Sequence, residues 1–143
     1  MFKRRCDEKI TTELYSAIKK GNLKKVKELV ENENATITMF AYAWAVEYKQ
    51  IKILQYFLEK DSKDSFYALT QAIKEDNEEF IKIIINYWKN NKQSCEFDLD
   101  SEIIYAIQVV IKEYKSVPPQ ITIPDLESKA LQKIRFILKT YDE

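Results

Sequence analysis

The stretch ELYSAIKKGNLKKVKELVE, residues 13–31, decides the fold. Leu14, Ala17 and Ile18 fall at i, i+3 and i+4, so they share one face of a helix. Thr11 or Thr12 is the expected cap at its start, because a threonine hydroxyl can accept from an orphan backbone N–H. Gly21-Asn22 is the expected stop, since both residues tolerate the left-handed backbone of a helix C-terminus. A second apolar stripe, Leu23, Val26, Leu29 and Val30, begins at once. So short a connection predicts two antiparallel helices, each with one apolar face. One such pair cannot bury both faces and needs neighbours.

The neighbours follow in register. Ala17-Ile18, Val26 and Leu29-Val30 recur 28 residues later as Ala45-Val46, Leu54 and Phe57-Leu58. They recur again, 27 further on, as Ala72-Ile73, Ile81 and Ile84-Ile85. A fourth unit starts with Ile103, Ala106 and Ile107 and resumes only at Ile134, Ile137 and Leu138. The repeated alanine has a steric reason, because a small side chain lets successive inner helices approach closely. Repetition at this period signals a solenoid. The expected fold is all-α: a short right-handed α-solenoid of about four antiparallel helix pairs in a single domain, residues 1–143. The pairs cover about 11–32, 36–60, 64–91 and 101–141, with an insertion near 116–124.

The units LYSAIKKGNLKKVKELV (14–30), YAWAVEYKQIKILQYFL (42–58) and LTQAIKEDNEEFIKIII (69–85) resemble the ankyrin repeat family's L-x-x-A-A-x-x-G-x-x-x-x-V-x-x-L-L. The Thr-Pro that opens a family repeat is missing, and Lys49 and Asp76 stand where Gly21 keeps the turn glycine. The connectors 31–41 and 59–66 are too short for a full β-hairpin finger on the family's usual 33-residue period. The resemblance implies stacked helix pairs that present a grooved protein-binding surface.

Composition narrows the chemistry. The chain has one glycine and three prolines, which favours helix over sheet. Basic and acidic residues balance at 23 each, so nothing drives nonspecific binding to nucleic acid or anionic membranes. No apolar run has the length of a membrane span, and Lys3-Arg4-Arg5 precedes charged residues rather than a signal core. The absence of histidine removes imidazole-assisted nucleophiles and the common zinc sites. A single glycine excludes a phosphate-binding Walker loop and a dinucleotide fingerprint. Glu78 and Glu79 are adjacent on a helix and point about 100° apart, so they are no convergent acid–base pair. No catalytic, cofactor-binding or metal-binding residues are expected, and no enzyme. Cys6 and Cys95 lack any paired-cysteine pattern and read as reduced thiols of a cytoplasmic protein. The usage of Lys, Ile, Asn and Tyr resembles that of AT-rich genomes, such as those of intracellular bacteria and large DNA viruses. It extends the expectation to a host-interaction or effector protein working in the host cytoplasm.

The expected function is protein binding through the inner-helix row Ser16, Lys19, Trp44, Tyr48, Gln71, Lys74, Tyr105 and Gln108. Trp44 and Tyr48 are its aromatic anchors, because such rings offer large contact area at small entropic cost. Two alternatives stand beside it. One is an enzyme inhibitor acting through SVPPQITIP, residues 116–124, which otherwise straps the core; the other is a nucleic-acid-binding helical repeat. Two apolar lines complete the reading. Ile103, Ile104, Ile107, Val110 and Ile111 predict a helix buried on two sides. Leu131, Ile134 and Leu138 predict the core face of the last helix, with Lys129, Lys133 and Lys139 on its outside.

Overall fold

A computed structural model describes residues 2–91, 99–115 and 124–142. Every regular element among them is helical: α1 (Phe2–Lys20), α2 (Leu23–Asn32), α3 (Met39–Glu47), α4 (Ile51–Lys60), α5 (Phe66–Lys74), α6 (Glu78–Asn90), α7 (Leu99–Lys115) and α8 (Pro124–Asp142). The chain divides into two compact units, Met1–Ala68 and Leu69–Glu143.

Three of the connections are the same turn. Gly21, Lys49 and Asp76 all have left-handed backbone, with φ of 71°, 56° and 56°. At each, that residue's N–H donates to the carbonyl three residues back: Ile18, Val46 and Ile73, at 3.0, 3.0 and 3.2 Å. The next N–H reaches five residues back, to Ala17, Ala45 and Ala72, at 2.9, 2.8 and 2.9 Å. This is the Schellman closure, which satisfies carbonyls that a helix end would otherwise orphan. The residue after the turn opens the following helix. Asn22 and Asn77 cap it through their side chains, accepting from the Lys25 and Phe80 N–H groups. Gln50 instead sends its amide to the Lys19 carbonyl at 3.5 Å. The sequence repeat is therefore a repeat of backbone geometry, kept where the glycine is not.

The left-handed region costs an L-residue about 1–2 kcal/mol, whereas glycine pays nothing there. A Cβ at Gly21 would also meet the Gln50 side-chain oxygen at 2.8 Å, although that end is flexible. Gly21→Ala is expected to lower stability by about 1–2 kcal/mol, and Lys49→Gly to raise it by about 0.5–1 kcal/mol. Paired urea melts of the two variants check this, and equal effects of the same sign would contradict it.

In the first unit α1 packs on α2 and α3, and α4 packs on α2 and α3. The core there includes Leu14, Ala17, Ile18, Val26, Leu29, Ala45, Val46, Leu54, Phe57 and Leu58, all buried. Tyr42 is fully buried, with its hydroxyl directed at the Phe57 carbonyl, 2.9 Å away, and at the Asp61 carbonyl. Residues 33–38 and 61–65, where fingers would stand, contain no strand. Ala35 and Ile37 are nonetheless buried, so the first connector closes over the core. In the second unit α8 packs on α6 and α7. Its core is built from Ala72, Ile73, Phe80, Ile81, Ile84, Ile85, Trp88, Ile103, Ala106, Val110 and Ile137.

Several expectations require correction. The first helix does not start at residue 11: α1 begins at Phe2, and Thr12 lies inside it, donating to the Glu8 carbonyl at 2.8 Å. Asp100 lies in the first turn of α7, where an acidic group complements the positive helix end. α8 starts at Pro124, a residue suited to a first helical position. Ile104 and Ile111 are exposed, so α7 is not buried on both sides. Among the described side chains of α8, Ile137 and Thr140 are buried and Ile134 is half-buried, whereas Leu131 and Leu138 are exposed. Lys133 is not an outer lysine: its ammonium lies 2.7 Å from Asp76 and 3.7 Å from Glu113, and its side chain is only 20% exposed. The insertion 116–123 and Cys95 lie outside the described residues, and the Cys6 side chain outside the described side chains.

Candidate functional site

Four aromatic residues of α1 and α3, Tyr15, Phe40, Trp44 and Tyr48, form one connected surface in the first unit. In α3, Phe40, Trp44 and Tyr48 succeed one another at intervals of four, with Tyr48 as the helix C-cap. In α1, Tyr15 stands opposite them. Its ring meets Trp44 edge-on, centroids 4.9 Å apart, and Tyr48 edge-on at 5.9 Å. Phe40 stacks on Trp44 at 6.3 Å with an interplanar angle of 28°. The Tyr15 and Tyr48 hydroxyls are 2.5 Å apart. The Lys19 ammonium lies over the Tyr48 ring, 6.0 Å from its centre.

Each contact fixes a ring that solvent would otherwise leave free to turn. Aromatic pairs of this kind contribute about 0.5–1.5 kcal/mol beyond the area they bury. Tyr15, Trp44 and Tyr48 are half-buried, but Phe40 at the outer end is 57% exposed. Beside Trp44 opens a cleft of about 270 Å³, lined by Ile10, Thr11 and Leu14 of α1 and by connector residues including Asn34, Thr36 and Thr38. It holds no charged side chain. The surface thus offers a large ring, a neutral hollow beside it and a lysine at the rim. Among the described residues no group of three or more metal-ligating side chains forms.

The hydrogen bond from Tyr15, with burial and the Glu47 charge behind it, pushes the Tyr48 phenol up to about 12 from an ordinary value of 10.0. A raised folded-state value means that the proton is held more tightly in the folded chain. The resulting stabilisation is complete below pH 10 and is lost as pH rises through about 12. Tyrosinate absorbance should therefore show the Tyr48 phenol titrating late in the unaltered chain and at lower pH in Tyr15→Phe. A Tyr48 that titrates with the ordinary phenols in the unaltered chain would remove the hydroxyl pair.

The first four residues of the expected row lie at this surface: Trp44 and Tyr48 in the cluster, Lys19 on its rim, and Ser16 half-buried next to Tyr15. The other four belong to the second unit. Gln71 donates to Glu75 at 3.2 Å, Lys74 and Gln108 are exposed, and Tyr105 is 58% exposed. Tyr15 and Phe40 were not in the row.

Elsewhere in the first unit, Tyr56 is held on the α2–α4 side with Lys27 over its ring at 5.5 Å. Its hydroxyl is buried without a hydrogen-bond partner. Burial, with the Glu31 charge adding to it, raises that phenol above its ordinary range. In the second unit Lys133 is neutralised by its two carboxylates beside a cleft of about 190 Å³ lined also by Ile81, Gln132 and Phe136. These two ion pairs make Lys133 a clasp that ties α8 to α7 and to the turn between α5 and α6.

No helix among the described residues is long and apolar enough to cross a membrane. No family model, curated protein or solved structure matches this chain.

Proposed function

We propose that this chain is a non-enzymatic protein-binding module, a short right-handed stack of ankyrin-like helix pairs that takes its partner on the inner-helix face. The observation that carries the reading is Phe40. It is more than half exposed, yet held by stacking on Trp44, which Tyr15 braces from the other side. An exposed ring already fixed in place loses little entropy on binding, the usual property of an interface anchor. The three identical turns at spacings of 28 and 27 support the repeat reading. In this reading the partner-contacting residues are Ser16, Lys19, Trp44 and Tyr48 of the first unit and Gln71, Lys74, Tyr105 and Gln108 of the second. The expected place of action is the cytoplasm, that of a host if the chain is an effector.

Trp44→Ala would remove ring packing as well as contact area, so Phe40→Ala is the cleaner probe. A partner captured by cross-linking and then titrated against the purified chain should bind Phe40→Ala at least roughly tenfold more weakly. The melting curve should not move. Unchanged affinity would place the binding surface elsewhere.

A further inference from the structure

The second unit leaves a patterned stripe open on α7. Asp100, Ile104, Gln108, Ile111 and Lys115 are all exposed, with Ile104 at 57% and Ile111 at 38%. At 100° per residue these five fall within an arc of about 80°. The core residues Ile103, Ala106 and Val110 lie on a different arc. The stripe reads the same from either end, except that the charge changes sign: acid, isoleucine, glutamine, isoleucine, base.

That pattern fits itself. Two α7 helices laid antiparallel about a two-fold axis near Gln108 bring Asp100 of each against Lys115 of the other, and Ile104 against Ile111. Gln108 meets its own counterpart, and an amide both donates and accepts. An unrelated partner would have no need of this symmetry. The balanced charge of the chain, 23 basic and 23 acidic residues, places no long-range repulsion between two copies. α8, which packs on α7, leaves Leu131 and Leu138 exposed as well.

We propose that this stripe is the contact of a symmetric homodimer, with a second copy of the chain seated antiparallel on α7. A single pair of helices of this length is at the small end of stable interfaces, so the dimer is reversible. The dimer does not use the aromatic surface of the first unit, although it shares Gln108 with the proposed partner-binding row; its test needs no partner.

Sedimentation equilibrium of the full chain tests it. The unaltered protein should dimerise within the micromolar range, and Ile104→Glu should leave it monomeric. Asp100→Lys and Lys115→Asp should each weaken the homodimer roughly tenfold, since each turns two attractive pairs into repulsive ones. Mixed in equal amounts, those two variants should recover the unaltered affinity, because both attractions return in the mixed dimer; native mass spectrometry would show the mixed species prevailing. The recovery does not depend on how well Ile104→Glu folds. A protein that stays monomeric at hundreds of micromolar, a dimer indifferent to Ile104→Glu, or a mixture no tighter than its components would each overturn the proposal.

Discussion

Phe57→Ala is expected to lower the unfolding free energy by about 3–5 kcal/mol, the range for emptying a buried phenylalanine site. Phe57 is fully buried, and its ring meets that of Tyr42 edge-on with centroids 5.7 Å apart. Its carbonyl also faces the Tyr42 hydroxyl and receives the Asp61 N–H that closes α4. The ring cannot be trimmed without leaving a void beneath Tyr42, whose own position depends on that backbone. Equilibrium urea unfolding measures the effect, and Phe57→Leu should recover much of it because the volume is better kept. A loss below about 1 kcal/mol would mean that this core collapses around the gap.

The second large effect has the opposite origin. Ala45→Leu adds atoms where none fit and is expected to cost about 1–3 kcal/mol. Ala45 is fully buried on α3, which packs on both α1 and α4, and its carbonyl accepts the turn hydrogen bond from Gln50. Leucine is the better match for a buried apolar position by hydropathy alone, so a simple transfer argument predicts a gain. Close helix approach predicts a loss. Thermal and urea melts of Ala45→Leu and Ala45→Gly decide between them, the glycine variant reporting helix propensity without added bulk. A leucine variant as stable as the parent would show that α3 keeps its distance.

Much of the fold could be read from spacing. The stripes Val26-Leu29, Leu54-Phe57-Leu58 and Ile81-Ile84-Ile85 are buried as their register implied, as are Ala17, Ala45, Ala72 and Ala106. The early part of α1 could not be read, because residues 3–9 carry mostly charge and show no apolar face. Helix propensity and the continuing backbone ladder extend it without one. The turn positions Lys49 and Asp76 were legible by register, but their left-handed backbone was not. Hydrogen bonds set their left-handed backbone, and the residue only tolerates it. On α7, periodicity finds two apolar stripes, Ile103-Ile107-Val110 and Ile104-Ile111, but cannot tell which faces outward. The candidate site divides in the same way. Trp44 and Tyr48 stood out because aromatic rings off the core register invite a reason. Tyr15 did not, because its equivalents one and two repeats later are Ala43 and Thr70, so repetition marked the position as unremarkable. The one available signal was its place beside Ser16, at a four-residue interval from Lys19.

The Schellman turns leave only two or three residues between the paired helices. One added residue at Gly21 would rotate α2 by about 100° about its axis and lift Val26 and Leu29 away from the interior they fill. These joints therefore act as indexing stops that fix each hairpin's rotational phase. Length variation has more room in the links 33–38 and 61–65, at exposed positions such as Glu33, Asn34 and Lys63 rather than at the buried Ala35, Ile37 and Ser65.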